Sequence, residues 1–425
     1  MQKNASLHLI FNQHKHMTRK RYIFLVLILG TLTTLGPFSI DMYLPGFPAI
    51  AKDLNANINQ VSLSLASFFV GISLGQLLYG PLLDKFGRKK PLYIGLIIYI
   101  LASVGCAQAH YIESLIALRF VQAIGSCAAA VAAMAMVRDF FPVNENAKVF
   151  ALLMLVVGAS PMIAPTAGGY LTASLGWQSV FFSLAIIAFI ILVVVFFFLP
   201  QGFAGNRSLS LKPKPILKGF KTVLVNPQFY TYTFAGAFSF SGLFAYISSS
   251  PLIFMDIFKV SETTYGWIFA ILSVGFIGAS QVNNLLLKKF RSEEIIPVAL
   301  SVQFLISLIF VSGAFFNWFG LYETIVMLFL FLCCIGIANP NGVALSLAPF
   351  SENAGTASSL MGAIQLGAGA LSSLAIGLLN SPSAIPMTIV MTAGSFIALF
   401  ILWLGRKNIT EIKEVDVAAE SFLVH

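Results

Sequence analysis

The chain has 425 residues, of which 58% are hydrophobic and only 10% charged, against roughly 25% charged in soluble domains. That balance excludes a soluble globular domain and points to an all-α membrane protein. The net charge of +9 sits in short loops between apolar runs, so it reads as membrane topology rather than a nucleic-acid footprint.

In chain order, a polar N-terminal segment carries His8, His14 and His16. A histidine cluster at a terminus reads as a solvated tail, and no metal site is expected. No cleavable signal peptide is apparent, because the first apolar run is long enough to be a span. About 20 apolar residues cross ~30 Å of hydrocarbon as a helix, and such runs recur twelve times. The first six are Tyr22 to Leu44, Val61 to Leu83, Pro91 to Ala109, Tyr111 to Val137, Ala147 to Ala173 and Trp177 to Leu199. The second six are Phe229 to Phe254, Thr263 to Leu287, Ile295 to Phe316, Leu321 to Leu345, Ala354 to Leu379 and Ile385 to Leu404. Between the sets lies a stretch rich in Lys, Pro, Ser and Gly with no apolar period, read as a semi-flexible connection. The predicted organisation is therefore a tail over 1–20, a six-helix bundle over 21–200, a linker over 201–227, a second bundle over 228–405 and a tail over 406–425. Cys106, Cys127, Cys333 and Cys334 all fall within spans, without metal-ligand spacing, and read as packing residues.

An even number of spans puts both termini on one side. All 25 Lys and Arg residues except Arg119, Lys52 and Lys259 fall on that side, so the positive-inside rule makes both termini cytoplasmic. Arg119 and Asp41 are ionisable residues deep in apolar runs, where a charge costs at least ~2.5 kcal/mol and calls for a partner, a water-filled cavity or a function. Asp41 lies 20 residues beyond Arg21, and Arg119 19 residues before Arg138. Each is thus roughly 28 to 30 Å along a helix from the basic side, and the two share a level. One acid and one base at one depth suggest a pair, and a switch between paired and unpaired surroundings would couple proton binding to access. A structural buried ion pair is the simpler alternative.

Three local patterns carry a family resemblance. Gly80-Pro-Leu-Leu-Asp84-Lys85-Phe-Gly87-Arg88-Lys89-Lys90 resembles the loop between spans two and three of the major facilitator superfamily. Leu118-Arg119-Phe-Val-Gln122-Ala-Ile-Gly125 is similar to the fourth-span motif of its proton-coupled members. Gly158-Ala-Ser-Pro161-Met-Ile-Ala-Pro165-Thr-Ala-Gly168-Gly169 resembles the fifth-span motif of drug:proton antiporters. Asp41-Met-Tyr-Leu-Pro45, with Val137-Arg138-Asp139 closing span four, further resembles the Bcr/CflA branch. The resemblance implies two six-helix bundles and export of small lipophilic or neutral, bicyclomycin- or chloramphenicol-like drugs in exchange for protons. It also implies a multi-pass monomer in a bacterial inner membrane, driven by the proton gradient without a cofactor and without a nucleic-acid partner. Some related exporters carry a second acid in span one where this chain has Thr33, which favours neutral over cationic substrates.

Each pattern also has a physical reading. Gly80 and Gly87 allow a tight turn, and Asp84 can pair with Arg88 or Arg138, making a latch with Asp139 that holds the basic-side ends of the two halves together. A plain basic loop is the alternative. Two prolines and three glycines in span five let a neighbour pack closely and kink the rod, as a seam between moving elements requires. Candidate substrate contacts are the intramembrane amides Gln122, Asn339, Asn341 and Gln365, with Met154, Phe238 and Tyr246 as adaptable apolar surface. Asn339-Pro340-Asn341-Gly342 predicts a break in span ten. A proton-coupled uptake symporter is the alternative within transport. Catalysis is not expected, since His110 and His425, like the other histidines, stand in no cluster with acids.

Overall fold

The computed structural model describes residues 19–200, 202–206, 213–350, 354–379 and 381–409. His8, His14, His16 and His425, with most of both predicted tails, lie outside them. Twelve helices among the described residues are long and apolar enough to cross a membrane. In the first half these comprise α1 (Arg19–Asp41), continued by the short α2 (Phe47–Asp53), then α3 (Ile58–Phe86), α4 (Lys89–Ala107), α5 (Ile112–Phe140), α6 (Val143–Leu175) and α7 (Gln178–Phe198). The linker holds α8 (Pro213–Leu224). The second half comprises α9 (Pro227–Pro251), α10 (Glu262–Leu286), α11 (Ser292–Phe315), α12 (Leu321–Leu347), α13 (Ala354–Leu379) and α14 (Ile385–Gly405).

Local chemistry sets several of these ends. Asn57 caps α3, accepting from the Gln60 amide (2.8 Å) while Gln60 Oε1 accepts from the Asn57 amide (2.9 Å). Asn226, with Pro227 at the first helical position, caps α9 through the Phe229 amide (3.0 Å). The two halves meet along two seams, α3 against α13 and α6 against α10. The loops rich in Lys and Arg define a basic face; at the opposite face both seams are tight. A Cβ on Gly169 would stand 2.7 Å from the Glu262 carbonyl oxygen, one on Gly266 would meet the Thr166 backbone at 2.8 Å, and Leu63 packs on Gly377. Midway, Ser73 Oγ donates across the seam to the Ala363 carbonyl (2.8 Å), and Phe69 meets Phe244 edge-on at 4.4 Å. At the basic face a cavity of about 640 Å³ opens between α3, α5, α8 and the start of α13.

Two expectations need correction here. Span ten is not broken: α12 runs unbroken from Leu321 to Leu347 with Pro340 inside it. The Asn341 side-chain amide donates to the Ile337 carbonyl one turn back (2.8 Å) and to Asn283 Oδ1 of α10 (2.7 Å), which steadies the turn that the proline weakens. Nor is the linker without an apolar period. Helix α8 sets Lys214, Lys218 and Lys221 on one side and buries Val223 against Phe229, Ala357 and Met361. Three lysines within three turns hide a period that only a few apolar residues carry.

Candidate functional site

Arg119 is wholly buried, and its surroundings follow from the stripe Leu115, Arg119, Gln122 and Ser126 on the inner face of α5. Its guanidinium donates from one terminal nitrogen to Gln122 Oε1 (2.6 Å) and from the other to the Ser39 carbonyl of α1 (2.8 Å). Gln122 passes the chain on, its amide donating to Ser103 Oγ (2.7 Å) on α4. Ser39 Oγ also meets the Tyr99 hydroxyl at 2.6 Å. The guanidinium carbon stands 4.2 Å from the Tyr43 ring centroid and 4.1 Å from that of Phe68. Two charge-assisted bonds and two aromatic faces thus replace part of the lost water, and Nε is left buried without a hydrogen-bond partner.

Asp41 is only 4% exposed and ends α1, where Pro45 and Gly46 interrupt the rod. It shares the level of Arg119, since the arginine bonds the carbonyl two residues earlier. The expected ion pair, however, is absent among the described residues: the Asp41 carboxylate enters no salt bridge and no hydrogen bond. The reason is helical phase. Two residues along a helix turn about 200°, so Asp41 points away from the side on which Ser39 meets α4 and α5. The end of α1 instead packs tightly on its own half: a Cβ on Gly168 of α6 would collide with the Met42 carbonyl, next to Asp41. Thr33, at the position of a second acid in related exporters, donates its hydroxyl to the Gly30 carbonyl of its own helix (2.7 Å).

At the basic face, Arg88 Nε donates to Asp139 Oδ2 (2.9 Å), a terminal nitrogen donates to Oδ1 (3.3 Å), and the other donates to Asp84 Oδ1 (2.9 Å). Burial by itself would lower the Arg88 pKa, but the bonds to Asp139 and Asp84 outweigh it and hold the guanidinium above its usual value. Asp84 therefore pairs with Arg88, not Arg138, which stands exposed on the cavity wall. Gly87 makes the turn at φ +81°, whereas Gly80 lies inside α3 with open space beside it and no turn to make. These bonds join α3, α5 and the linker rather than the two halves, and across the cavity from them lie Gly355 to Ser359 of α13. The expected latch between halves is thus not closed in this conformation.

The linker's part in this cluster was not foreseen. The Phe203 amide donates to Asp139 Oδ2 (3.0 Å), the Arg88 amide to the Phe203 carbonyl (3.3 Å) and the Asn206 amide to the Asp84 carbonyl (2.8 Å). The Phe203 ring lies 5.1 Å from the Arg88 guanidinium. Gly205, at φ +91°, presses on the backbone of Gly87 so closely that no side chain fits. The flanking glycines of Gly202-Phe-Ala-Gly205 were the available signal.

The predicted substrate contacts scatter. Gln122 is buried with both ends of its amide committed, so it serves Arg119 rather than a cavity. Phe238 packs against the core formed by Tyr232, Ile296, Ala338 and Ala398 in the second half. Met154 is half exposed on α6, the helix that also carries Gly158, Pro161 and Pro165. Gln365 donates to Asn339 Oδ1 (3.2 Å), linking α13 to α12. Tyr246 is 2% exposed and stacks on Phe269 at 5.4 Å, and its hydroxyl has no partner. All four cysteines are free.

Comparison with known proteins then decides the family. The Major Facilitator Superfamily matches residues 29–373, well over half of the chain. The chain belongs to the major facilitator superfamily. It is similar to the bicyclomycin resistance protein homolog of Haemophilus influenzae, at 31% identity over 375 residues covering 88% of this chain and 94% of that protein. It also resembles the multidrug resistance protein MdtL of Klebsiella pneumoniae, 29% identical over 337 residues covering 79% and 83% respectively. Both agree with the Bcr/CflA branch to which Asp41-Met-Tyr-Leu-Pro45 points. Among solved structures, an inward-facing, occupied bacterial homolog of the human lysosomal transporter Spinster superposes with a TM-score of 0.73 at 15% identity, covering 94% of this chain and all of that one. The D-xylose-proton symporter follows at 0.71 and 15%, covering 90% and 96%. At such identity these two fix the fold of this superfamily member and nothing finer. With twelve apolar helices and bacterial relatives it is a multi-pass inner-membrane transporter, not an enzyme.

Proposed function

We propose that this superfamily member exports small lipophilic or neutral drug-like molecules in exchange for protons by alternating access, with both termini and the basic loops in the cytoplasm. The observation that carries the reading is Asp41, a buried carboxylate at the end of α1 that enters no ion pair and no hydrogen bond among the described residues. A carboxylate so placed takes and gives up a proton as the halves separate and close. Arg119, held by its own network, keeps the end of α1 in position. Thr33 leaves no second acid to attract a cation. The printed names of the relatives, bicyclomycin and multidrug resistance, support drug substrates.

In this reading the protein acts as a monomer, needs no cofactor, and stands with the basic face, assigned to the cytoplasm, open. The drug enters through the cavity between the halves and is then bound by the Asn339 and Gln365 amides and by aromatic side chains of α9, none of which lines that cavity in this conformation. Asp84, Arg88, Arg138 and Asp139 rearrange as the cytoplasmic ends approach. Everted vesicles test it: an imposed proton gradient should drive accumulation of a chloramphenicol-type compound and leave an organic cation behind. Gradient-driven movement of a small metabolite in the opposite direction would replace export with uptake.

A further inference from the structure

The loop after α3 and the start of α4 wall a second cavity on the basic face, of about 620 Å³, lined by Lys85, Lys89 and Lys90 together with Arg88, Phe86 and Phe203. Arg88 is spent there, since all three of its guanidinium nitrogens donate to Asp84 or Asp139. The lysines are not. None of the three enters an ion pair among the described residues, and Lys85 reaches only the face of the Phe86 ring, at 5.8 Å. Lys89 and Lys90 also open α4, whose first turn carries no acid, so the positive end of the helix adds to three like charges. The positive-inside rule places cations in this loop but does not gather them around one cavity. A cleft lined by one sign of charge concentrates the opposite sign.

What carries that anion follows from α4. Between Lys90 and Leu101 the exposed residues of this helix are Lys90, Ile94, Ile97 and Leu101, a single stripe at helical spacing. Lys90 and Leu101 are 11 positions apart, about 16 Å along a helix, which is about half of the ~30 Å of hydrocarbon and so the depth of one leaflet. On the same helix Tyr93 meets Phe196 of α7 at 6.0 Å, and Phe196 is itself exposed, which widens the apolar surface. We propose that Lys85, Lys89 and Lys90 hold the phosphate of an anionic phospholipid of the surrounding leaflet, whose acyl chains lie along Ile94, Ile97 and Leu101. With Phe203 in the same wall, the lipid bridges α4, the loop after α3 and the linker. The assignment depends neither on the direction of transport nor on the proton.

Native mass spectrometry of the full chain, released from micelles carrying increasing phosphatidylglycerol or phosphatidylethanolamine, tests this. Wild type should retain one phosphatidylglycerol at about tenfold lower lipid concentration than phosphatidylethanolamine. Each lysine beside an anionic headgroup is worth about fivefold, so Lys85→Gln/Lys89→Gln/Lys90→Gln should erase that preference. Taking the same charge from the same face elsewhere, as Lys214→Gln/Lys218→Gln/Lys221→Gln on α8, should leave it intact. Equal loss in both triple variants, or a preference that survives the first, overturns the assignment. Displacement of the lipid from wild type by millimolar inorganic phosphate would mean a soluble phosphate site and overturns it too. Should the first variant fail to insert, wild type with phosphatidylglycerol carrying a photoreactive group in its acyl chain decides. Labels on Ile94, Ile97 and Leu101 support the site, and labels spread evenly over the other lipid-facing helices contradict it.

Discussion

A guanidinium sealed from water needs acceptors in a fixed geometry, and both terminal nitrogens of Arg119 find theirs, on two helices, while Nε is buried without a hydrogen-bond partner. Its fork reaches the Ser39 carbonyl on α1 and Gln122 on its own helix while the plane lies between Tyr43 and Phe68. Lysine offers a point charge that neither forks nor stacks in this way. Arg119→Lys should therefore destabilise the protein by about 2 kcal/mol, the scale of one lost charge-assisted bond, seen as a lowered unfolding temperature in detergent. An unchanged unfolding temperature would mean that the network does not hold α1. The depth of Arg119 and Asp41 was legible in the sequence, because residue counts along a helix translate directly into height. Their orientation was not, because the phase of α1 depends on which of its faces meets α4 and α5, and its apolar residues run all the way round.

At the scale of elements, the loop after α3 and the start of the linker form one unit around Arg88. Gly87 is essential to it twice over: it holds φ +81°, and a Cβ there would stand 2.7 Å from the Ala204 carbonyl oxygen. Gly87→Ala costs about 1 to 2 kcal/mol in backbone strain alone, so the segment around Phe203 should detach and be cut by protease roughly tenfold faster. A cleavage rate equal to wild type would show that the linker is not held there. The loop's charged residues were readable as a motif, but their partners were not. A motif names the residues of one loop, whereas Phe203 reaches Asp139 across 64 positions of chain. The count and extent of the spans were legible for the opposite reason, since each apolar run is set by membrane thickness and not by tertiary contacts. Span ten shows the limit of local signals: Asn-Pro-Asn-Gly reads as a break until the bond from Asn341 to Asn283 on a neighbouring helix is known.

For the molecule as a whole, the seams are closed at one face and part around a cavity at the other. A single charge moved down 100 mV supplies about 2.3 kcal/mol, enough for a roughly 50-fold gradient of a neutral substrate, so in the proposed cycle one proton at Asp41 suffices. Alternating access requires that the closed seam open, and Gly169 sits on that seam with the Glu262 carbonyl oxygen 2.7 Å from where its Cβ would be. In a background with the four native cysteines replaced, Gly169→Val should wedge the seam, so that a cysteine at Leu63, packed on Gly377, reacts several-fold faster with a water-soluble maleimide. Equal reactivity would show that the seam does not gate this face.

The central claim is that Asp41 carries the exchanged proton. Proteoliposomes containing wild type or Asp41→Asn are given a chloramphenicol-type compound, and proton release is followed with a pH-sensitive dye. Drug-driven release by wild type and its loss in the variant, with the variant still folded and binding the drug, is the predicted result; equal release by both would contradict the account.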